Sequence, residues 1–444
     1  MWEVAVGTLP VVVVGAGPVG LALAAQLVER GLEPLVLESG DEVGAAVAAW
    51  GHVRIFSPWR YDVDPAARRL LERAGWTAPD PDVLPTGGEL VERYLVPLAA
   101  TPELSGRIRT GTRVLAISRR GIDKTRSTGR DEQPFVVRVA TASGVEDLLA
   151  GAVVDASGTW QTPNPLGAGG LPAIGENDAR EHLTHALPDV LGTDRARFAG
   201  RHTVVVGNGH SASNTLLALA QLAGEAPGTR MTWVIRGRSA ARTYGGGADD
   251  QLPARAALGT RLRHLVESGA VEFVPGFHVE RVDRDGAGVA LGGTTAAGDR
   301  SIRADVIVNA TGFRPDLDLI RELRIEVDPV TEAPPKLAPL IDPNVHSCGT
   351  VPPHGARELA QPEPGFFVVG SKSYGRAPTF LMLTGYEQAR SVAAALAGDH
   401  AAAESVELTL PQTGVCGGSS ADDGCCDVAA GPQLISLSAA PARS

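Results

Sequence analysis

Short apolar runs, each ending in a cluster of small residues, set the rhythm of the chain. Val11-Val12-Val13-Val14 is a continuous β-branched run, the pattern of a parallel strand buried on both faces. Gly15, Gly17 and Gly20 follow, and Leu21 to Arg30 then places its apolar positions on one side, which predicts a helix. Leu35-Val36-Leu37 predicts the next strand, ended by Glu38. The same order returns later. Thr203-Val204-Val205-Val206 leads into Gly207-Asn208-Gly209-His210-Ser211-Ala212, Ser213 to Ala223 reads as a helix, and Thr232-Trp233-Val234-Ile235 reads as a strand. This second strand ends not in an acid but in Arg236, with Arg238 close behind.

Three further runs end in small-residue turns. Ala152 to Asp155 runs into Ala156-Ser157-Gly158-Thr159, and Asp305 to Asn309 runs into Ala310-Thr311-Gly312. Pro364 to Gly370 is a strand that ends in glycine, and Leu381 to Ala397 reads as a helix. Strands alternating with helices in this way predict an α/β fold with two Rossmann-like dinucleotide-binding domains, the second inserted into the first. The expected divisions are residues 1–165 and 336–400 for the first dinucleotide-binding domain and 166–335 for a linker and the second. Residues 401–444 read as a flexible, cysteine-containing tail. Within this plan Gly121 to Pro134 is a polar loop between strands, and Pro163 to Leu191 is a Gly/Pro-rich linker.

The glycine spacing has a physical reason. Gly15 permits the tight turn, Gly17 lets backbone approach a pyrophosphate, and Gly20 lets helix pack on strand, while the helix N-terminus faces the anion. Glu38 stands ~20 residues further on, where an acid accepts ribose hydroxyls. At the second site Gly207, Asn208, Gly209 and Ser211 take the phosphate-binding positions. Arg236 and Arg238 favour a 2′-phosphate, which an acid would repel, so this site reads as built for NADPH. Ser157, Gly158, Gly370, Thr311 and Gly312 are further cofactor-lining candidates, because small residues let the chain pass close to a cofactor or between domains.

Composition narrows the classes. Hydrophobic residues make up 43% and charged residues 20% of 444, which excludes wholesale disorder. The net charge of -11 argues against a nucleic-acid partner. Four cysteines are too few for a disulfide scaffold, so a reduced, cytoplasmic setting is expected. The uncharged run Thr8 to Val28 is broken by its glycines and Pro18 and lacks a basic leader, so no membrane span or signal peptide is expected.

With two fingerprints and their A-[ST]-G turns in place, the chain resembles the two-dinucleotide-binding flavoproteins. The GxGxSA form of the second fingerprint and Ala310-Thr311-Gly312-Phe313-Arg314-Pro315-Asp316 resemble the flavin-containing and N-hydroxylating monooxygenases. Three phrases are similar to a bacterial branch associated with arsenic-resistance operons: Phe56 to Tyr61, His346 to Thr350, and Lys372 to Phe380. The linker motif FxGxxxH of the wider family is not intact, although His185 stands at about the right distance. The resemblance implies FAD and NADPH as cofactors, with 1–165 and 336–400 as the FAD-binding domain and the inserted domain within 166–335 as the NADPH-binding one. It implies a monooxygenase in which NADPH reduces FAD, O2 adds at flavin C4a, and a small soft nucleophile is oxygenated: an amine, a thioether or a trivalent arsenical. A homodimer is common for such folds.

Arg54, Ser57 and Trp59 are candidates for contacting flavin or substrate; a buried aromatic and an exposed arginine on a loop is the competing reading. Tyr244 to Gly247 is either a stretch that moves over the nicotinamide or a plain surface loop. His346, Cys348 and His354 lack zinc spacing and read as structural or flavin-adjacent. Residues 1–400 hold a single cysteine, Cys348, which argues against a flavin-linked redox pair. Cys416, Cys425 and Cys426 leave three readings open: capture of a soft metal ion, a thiol shuttle, or no role. They support two alternatives to the oxygenase: a reductase working through the tail, and a non-enzymatic As(III)-binding redox sensor.

Overall fold

The computed structural model describes residues 9–245, 252–344, 351–377 and 380–408. Two parallel five-stranded sheets form its backbone, each carrying helices on one face and a three-stranded antiparallel meander on the other. The first sheet uses β1 (Val11–Val14), β2 (Pro34–Leu37), β3 (Ile108–Arg109), β7 (Ala152–Asp155) and β16 (Phe366–Val368), in the order β16-β7-β1-β2-β3. Its meander is β4 (Arg113–Arg119), β5 (Phe135–Thr141) and β6 (Gly144–Ala150). The second sheet uses β8 (Leu183–Thr184), β9 (His202–Val206), β10 (Arg230–Val234), β11 (Glu272–Val274) and β15 (Val306–Asn309), in the order β11-β10-β9-β15-β8. Its meander is β12 (His278–Asp285), β13 (Gly288–Thr295) and β14 (Gly298–Ala304).

The valine runs are explained by this layering. Val11 and Val13 point into a core shared with helices α1 (Pro18–Glu29), α2 (Pro65–Arg73) and, from the far end of the chain, Met382–Leu396. Val12 and Val14 pack against Ile117, Phe135, Val137 and Val139 of the first meander. In the second sheet Val205 faces helix α3 (His210–Glu225) and α4 (Pro253–Glu267), while Val204 and Val206 face the meander through Val279 and Leu291. With both faces covered, Val11–Val14 and Val204–Val206 have no solvent-facing side, which accounts for the unbroken valine in both stretches. We number the C-terminal helix Met382–Leu396 α5; it packs along α1.

Several boundaries differ from expectation. Helix α1 starts at Pro18 rather than Leu21, and α3 at His210 rather than Ser213, because the later residues of each fingerprint are already the first helical turn. Proline suits that opening position, where its missing N–H has no helical partner to lose. The Gly/Pro-rich linker is organised rather than slack. Glu176 accepts the backbone N–H of Leu166 and of Ala173 (2.7 Å for the latter), and Leu183–Thr184 joins the edge of the second sheet. The loop 121–134 buries Arg130 completely, where it pairs with Glu363 (2.9 Å), which also pairs with Arg119 (2.7 Å). This triad ties the loop to the segment that enters β16. Helical structure also continues past the expected start of the tail: His400–Glu404 is a short helix capped by Asp399 and tied to α5 through Ser391 Oγ and Ala403 O (2.6 Å). Cys416, Cys425 and Cys426 lie outside the described residues, as do His346, Cys348, Gly246 and Gly247. Among the described residues no helix is long and apolar enough to cross a membrane.

Candidate functional site

The glycines of the first turn serve three separate purposes. Gly15 has φ +99° and lies under the β7 turn; a Cβ there would sit 2.9 Å from Ala156 O. At Gly20 a Cβ would come within 2.0 Å of Gly15 O, so only glycine lets α1 pack this closely on its own turn. A Cβ at Gly17 would meet nothing within 4 Å. Above Gly17 there is open space, and the N-terminus of α1 has no side-chain cap and no acid in its first turn. Bare backbone amides beside an open cradle are what a pyrophosphate requires. Glu38 is buried at the end of β2 and accepts the N–H of Ala16 and of Gly40, both at 2.8 Å.

The second turn repeats the plan. Gly207 has φ +130°, and its Cβ would stand 2.0 Å from Ala310 O of the β15 turn. Gly209 again faces open space, and α3 has neither a side-chain cap nor an acid in its first turn. Ala212 takes the third glycine's place and is fully buried. Asn208 is exposed, and its carbonyl accepts Thr243 Oγ1 (2.9 Å); Ser211 is half-buried. Arg236 and Arg238 are both exposed at the end of β10, and Arg236 Nη1 donates to Ala168 O (2.8 Å).

The two small-residue turns are anchored differently. Ser157 Oγ donates to Asp155 Oδ1 (2.6 Å), and Lys372 Nζ donates to Asp155 Oδ2 (2.6 Å) and to Ser157 Oγ (3.2 Å). Asp155 and Lys372 are both buried, at the C-terminal ends of β7 and β16, where ligands bind in open parallel sheets. Next to them Gly370 N donates to Gln388 Oε1 (2.7 Å). At the other turn Thr311 Oγ1 donates to Asn309 Oδ1 (2.7 Å), and Asn309 Nδ2 donates to Asn164 O (2.8 Å), so this turn holds the linker as it crosses. Gly312, at φ +94°, completes it.

Aromatic rings meet between segments that follow strands of the two sheets. Phe56 lies 5.1 Å from the ring of His210 at the start of α3, and Trp160 contacts His185 (5.8 Å) and Phe313 (5.1 Å). The loop candidates separate. Arg54 is exposed and donates to Leu84 O (2.5 Å), and Trp59 is packed into the core, as the competing reading held. Ser57 instead lines a narrow cleft. Tyr61 and Asp62 line it from the same side, Leu252 from the start of α4, and Leu381, Met382 and Leu383 from the start of α5. Tyr244 ends a helical turn, a Cβ at Gly259 would stand 2.1 Å from its carbonyl oxygen, and its ring edges Trp233.

Sequence reasoning missed Asp62. It is fully buried, Ser57 Oγ donates to its Oδ1 (2.7 Å), and burial pushes its carboxyl up to about 7, with the Ser57 hydroxyl restraining the rise. The available signal was the pair Asp62-Val63-Asp64 before Pro65. Asp64 caps α2 through Ala67 N (2.9 Å), leaving Asp62 without a local duty. His354 is buried with both ring nitrogens engaged, by Gln388 Nε2 (2.9 Å) and Pro352 O (3.0 Å), which is a structural role. Among the described residues no His/Cys/Asp/Glu group has the makings of a metal site.

The sequence profile of a pyridine nucleotide-disulphide oxidoreductase family matches residues 12–344, spanning both glycine turns. The chain belongs to the pyridine nucleotide-disulphide oxidoreductases. It is accordingly an oxidoreductase with FAD and NADPH as cofactors, and the two open glycine cradles fit both. None of the curated proteins matches this family member by sequence. Among solved structures it is similar to the bacillithiol disulfide reductase Bdr of Bacillus cereus, at 20% identity and TM-score 0.64, covering 88% of this chain and 99% of that one. It is also similar to the ornithine N-hydroxylase KtzI of Kutzneria sp. 744 (18%, TM-score 0.57, 87% and 99% covered). A flavin monooxygenase of Stenotrophomonas maltophilia aligns as well (20%, TM-score 0.57, 88% and 98% covered). These likenesses show a common α/β fold.

Proposed function

We propose that the protein is an NADPH-dependent FAD monooxygenase acting on a small soft nucleophile: an amine, a thioether or a trivalent arsenical. The observation that carries this reading is chemical. A dithiol relay from the flavin to a disulfide needs two cysteines side by side, and residues 1–400 hold only Cys348. FAD supplies the redox and oxygen chemistry when bound. The side chains have the remaining tasks of binding, orienting and excluding water.

In this reading Gly15, Gly17 and Gly20 with the start of α1 hold the FAD pyrophosphate, and Glu38 takes its ribose. Each Glu38 oxygen that accepts a backbone N–H still has a second lone pair for a hydroxyl. Ser157, Gly158 and Gly370 line the same cofactor. Gly207, Asn208, Gly209 and Ser211 hold the NADPH phosphates, Arg236 and Arg238 its 2′-phosphate, and Thr311 and Gly312 the crossing between the two. Arg236→Ser should then raise the KM for NADPH by about tenfold, the worth of one charge-assisted contact, and leave the KM for NADH unchanged.

The similarity to arsenic-operon sequences supports trivalent arsenicals as one of the three nucleophiles, with a role in arsenic resistance. The likeness to a disulfide reductase favours a second reading, a reductase working through Cys416, Cys425 and Cys426. The experiment is NADPH and O2 consumption with analysis of an oxygenated product, on the full chain and on a chain ended after Leu408, which keeps the helix packed on α5 and removes the three cysteines. An oxygenase keeps product formation in both. Peroxide as the sole product with every amine, sulfide and arsenical overturns the oxygenase reading, and turnover lost on truncation supports the reductase.

A further inference from the structure

The turn after β7 presents one hydroxyl whose hydrogen-bonding direction is decided inside the protein. Ser157 is exposed and lies over the first glycine of the cradle, where a Cβ on Gly15 would stand 3.0 Å from its Cα. Its Oγ donates to Asp155 Oδ1 (2.6 Å) and accepts from Lys372 Nζ (3.2 Å). An ammonium only donates, so the Ser157 proton is committed to Asp155 and one lone pair to Lys372. The side chains of Asp155 and Lys372 are fully buried and pair at 2.6 Å, and Ser157 N also donates to Asp155 Oδ1 (3.0 Å). The hydroxyl therefore has one lone pair left and no proton to give. It offers a ligand an acceptor, and a pyrophosphate, which carries acceptors alone, has no use for one.

We propose that Ser157 Oγ accepts a hydrogen bond from a ribityl hydroxyl of FAD. This deepens the assignment of the first cradle to FAD and rests on that assignment. The sheet order supplies the direction. In the order β16-β7-β1-β2-β3 the pyrophosphate cradle follows β1, and Glu38 ends β2 on one side of it. Ser157 and Lys372 follow β7 and β16 on the other side. With the adenosine ribose on Glu38, the remaining half of the dinucleotide leaves the cradle toward β7. The first groups it carries past the pyrophosphate are the ribityl hydroxyls, each able to donate. A serine free to rotate would serve phosphate and hydroxyl alike. Held by Asp155 and Lys372, it selects the hydroxyl, so the buried pair has a use at the cofactor besides anchoring the turn.

The test is equilibrium dialysis of the FAD-loaded full-length protein against mixtures of FAD and an analogue lacking the ribityl 2′-, 3′- or 4′-hydroxyl, with the bound flavins quantified by chromatography. We expect wild type to discriminate against one analogue by about fivefold, the worth of one neutral hydrogen bond. In Ser157→Ala that discrimination should fall below about twofold, because FAD then has no acceptor to lose. The backbone N–H at this position still reaches Asp155, so the turn is retained. Should Ser157→Ala not fold, Ser157→Cys, whose sulfur accepts only weakly, takes its place with the same outcomes. Equal affinity of wild type for FAD and every analogue overturns the proposal, and so does discrimination that survives in the variant. Glu38→Gln, followed by the fluorescence of FAD released on dilution, checks the cradle itself. Unchanged FAD affinity there places FAD elsewhere and overturns assignment and proposal together. Weakened FAD there, with no effect at Ser157, overturns the proposal alone.

Discussion

The two glycine turns are built on one plan and differ in three places. In both, the first glycine has a positive φ and is overlain by the carbonyl of a small-residue turn, Ala156 over Gly15 and Ala310 over Gly207. In both, the second glycine looks onto empty space. The third position differs: Gly20 is forced by a 2.0 Å approach to its own turn, whereas Ala212 carries a buried methyl. The end of the second strand differs as well, with Glu38 in one and Arg236 in the other. The anchor of the overlying turn is an ion pair, Asp155–Lys372, in the first and a set of neutral amides, Asn309 and Asn164, in the second. What the sites share is therefore the steric geometry of the turn, and what distinguishes them is charge.

The sharpest break of the shared part is at its first glycine. Gly207→Ala places a methyl against backbone that no rotamer change can clear, at a φ that L-residues rarely adopt. The expected cost is about 2–6 kcal/mol from strain and overpacking, with most of the protein insoluble. Gly209→Ala meets nothing, so the unfolding midpoint should move by about 1 kcal/mol or less while NADPH binding weakens. Denaturant unfolding and an NADPH titration separate the two effects. If both variants lose stability equally, the division of labour between the glycines is wrong.

The next break concerns the anchors. Lys372→Met leaves Asp155 buried without its cation and should cost about 3–5 kcal/mol. Asn309→Ala removes neutral hydrogen bonds and should cost about 1–2 kcal/mol. Equal midpoints for the two variants would show that the buried ion pair adds nothing to a neutral anchor.

The outcome for sequence reading follows from the same physics. Strands buried on both faces, and glycines demanded by backbone, leave marks on residues adjacent in the chain, so β1, β2, β9, β10 and both turns were legible from Val11 to Glu38 and from Thr203 to Arg236, whereas the short edge strands β3, β8 and β11 were not. Asp155 and Lys372 are separated by more than 200 residues and meet only because β7 and β16 are neighbours. Arg130 sits in a polar loop that looks exposed, and is buried because Glu363 arrives from far along the chain. Asp62 follows an aromatic run that is equally consistent with core and with surface. Each of these polar groups gains its meaning from long-range contact, which no local pattern encodes.

Titration should distinguish buried acids from a buried imidazole. Burial raises Asp62 to about 7 and Asp64 to about 6, against an ordinary 3.8. The folded chain holds protons that the unfolded chain releases near pH 4, so this contribution is full below ~4 and is lost as pH rises through 6 and 7. Its upper bound is on the order of a few kcal/mol. Tyr386 donates to the Asp62 carbonyl and Tyr94 accepts from Asp64 N; both phenols are pushed further up by burial and stay neutral in this range. His202, in the second sheet, runs the other way: burial lowers it from 6.5, so its contribution is present above that value and is lost as pH falls below it. Unfolding midpoints between pH 5 and 8 should therefore fall less steeply in Asp62→Asn and more steeply in His202→Gln. Parallel curves for all three proteins would remove the distinction.

The gentlest test is at the third position. If glycine there serves the phosphate, Ala212→Gly should tighten NADPH binding by making the second turn more like the first. If it serves helix packing, as the approach of Gly20 to Gly15 O indicates, the substitution only removes a buried methyl and loosens the first turns of α3. The expected cost is about 1–2 kcal/mol, from the helix penalty of glycine and the lost methyl, with the NADPH dissociation constant unchanged. Tighter NADPH binding would show that the alanine holds the nucleotide away, and that the two turns differ in how closely backbone meets phosphate as well as in charge.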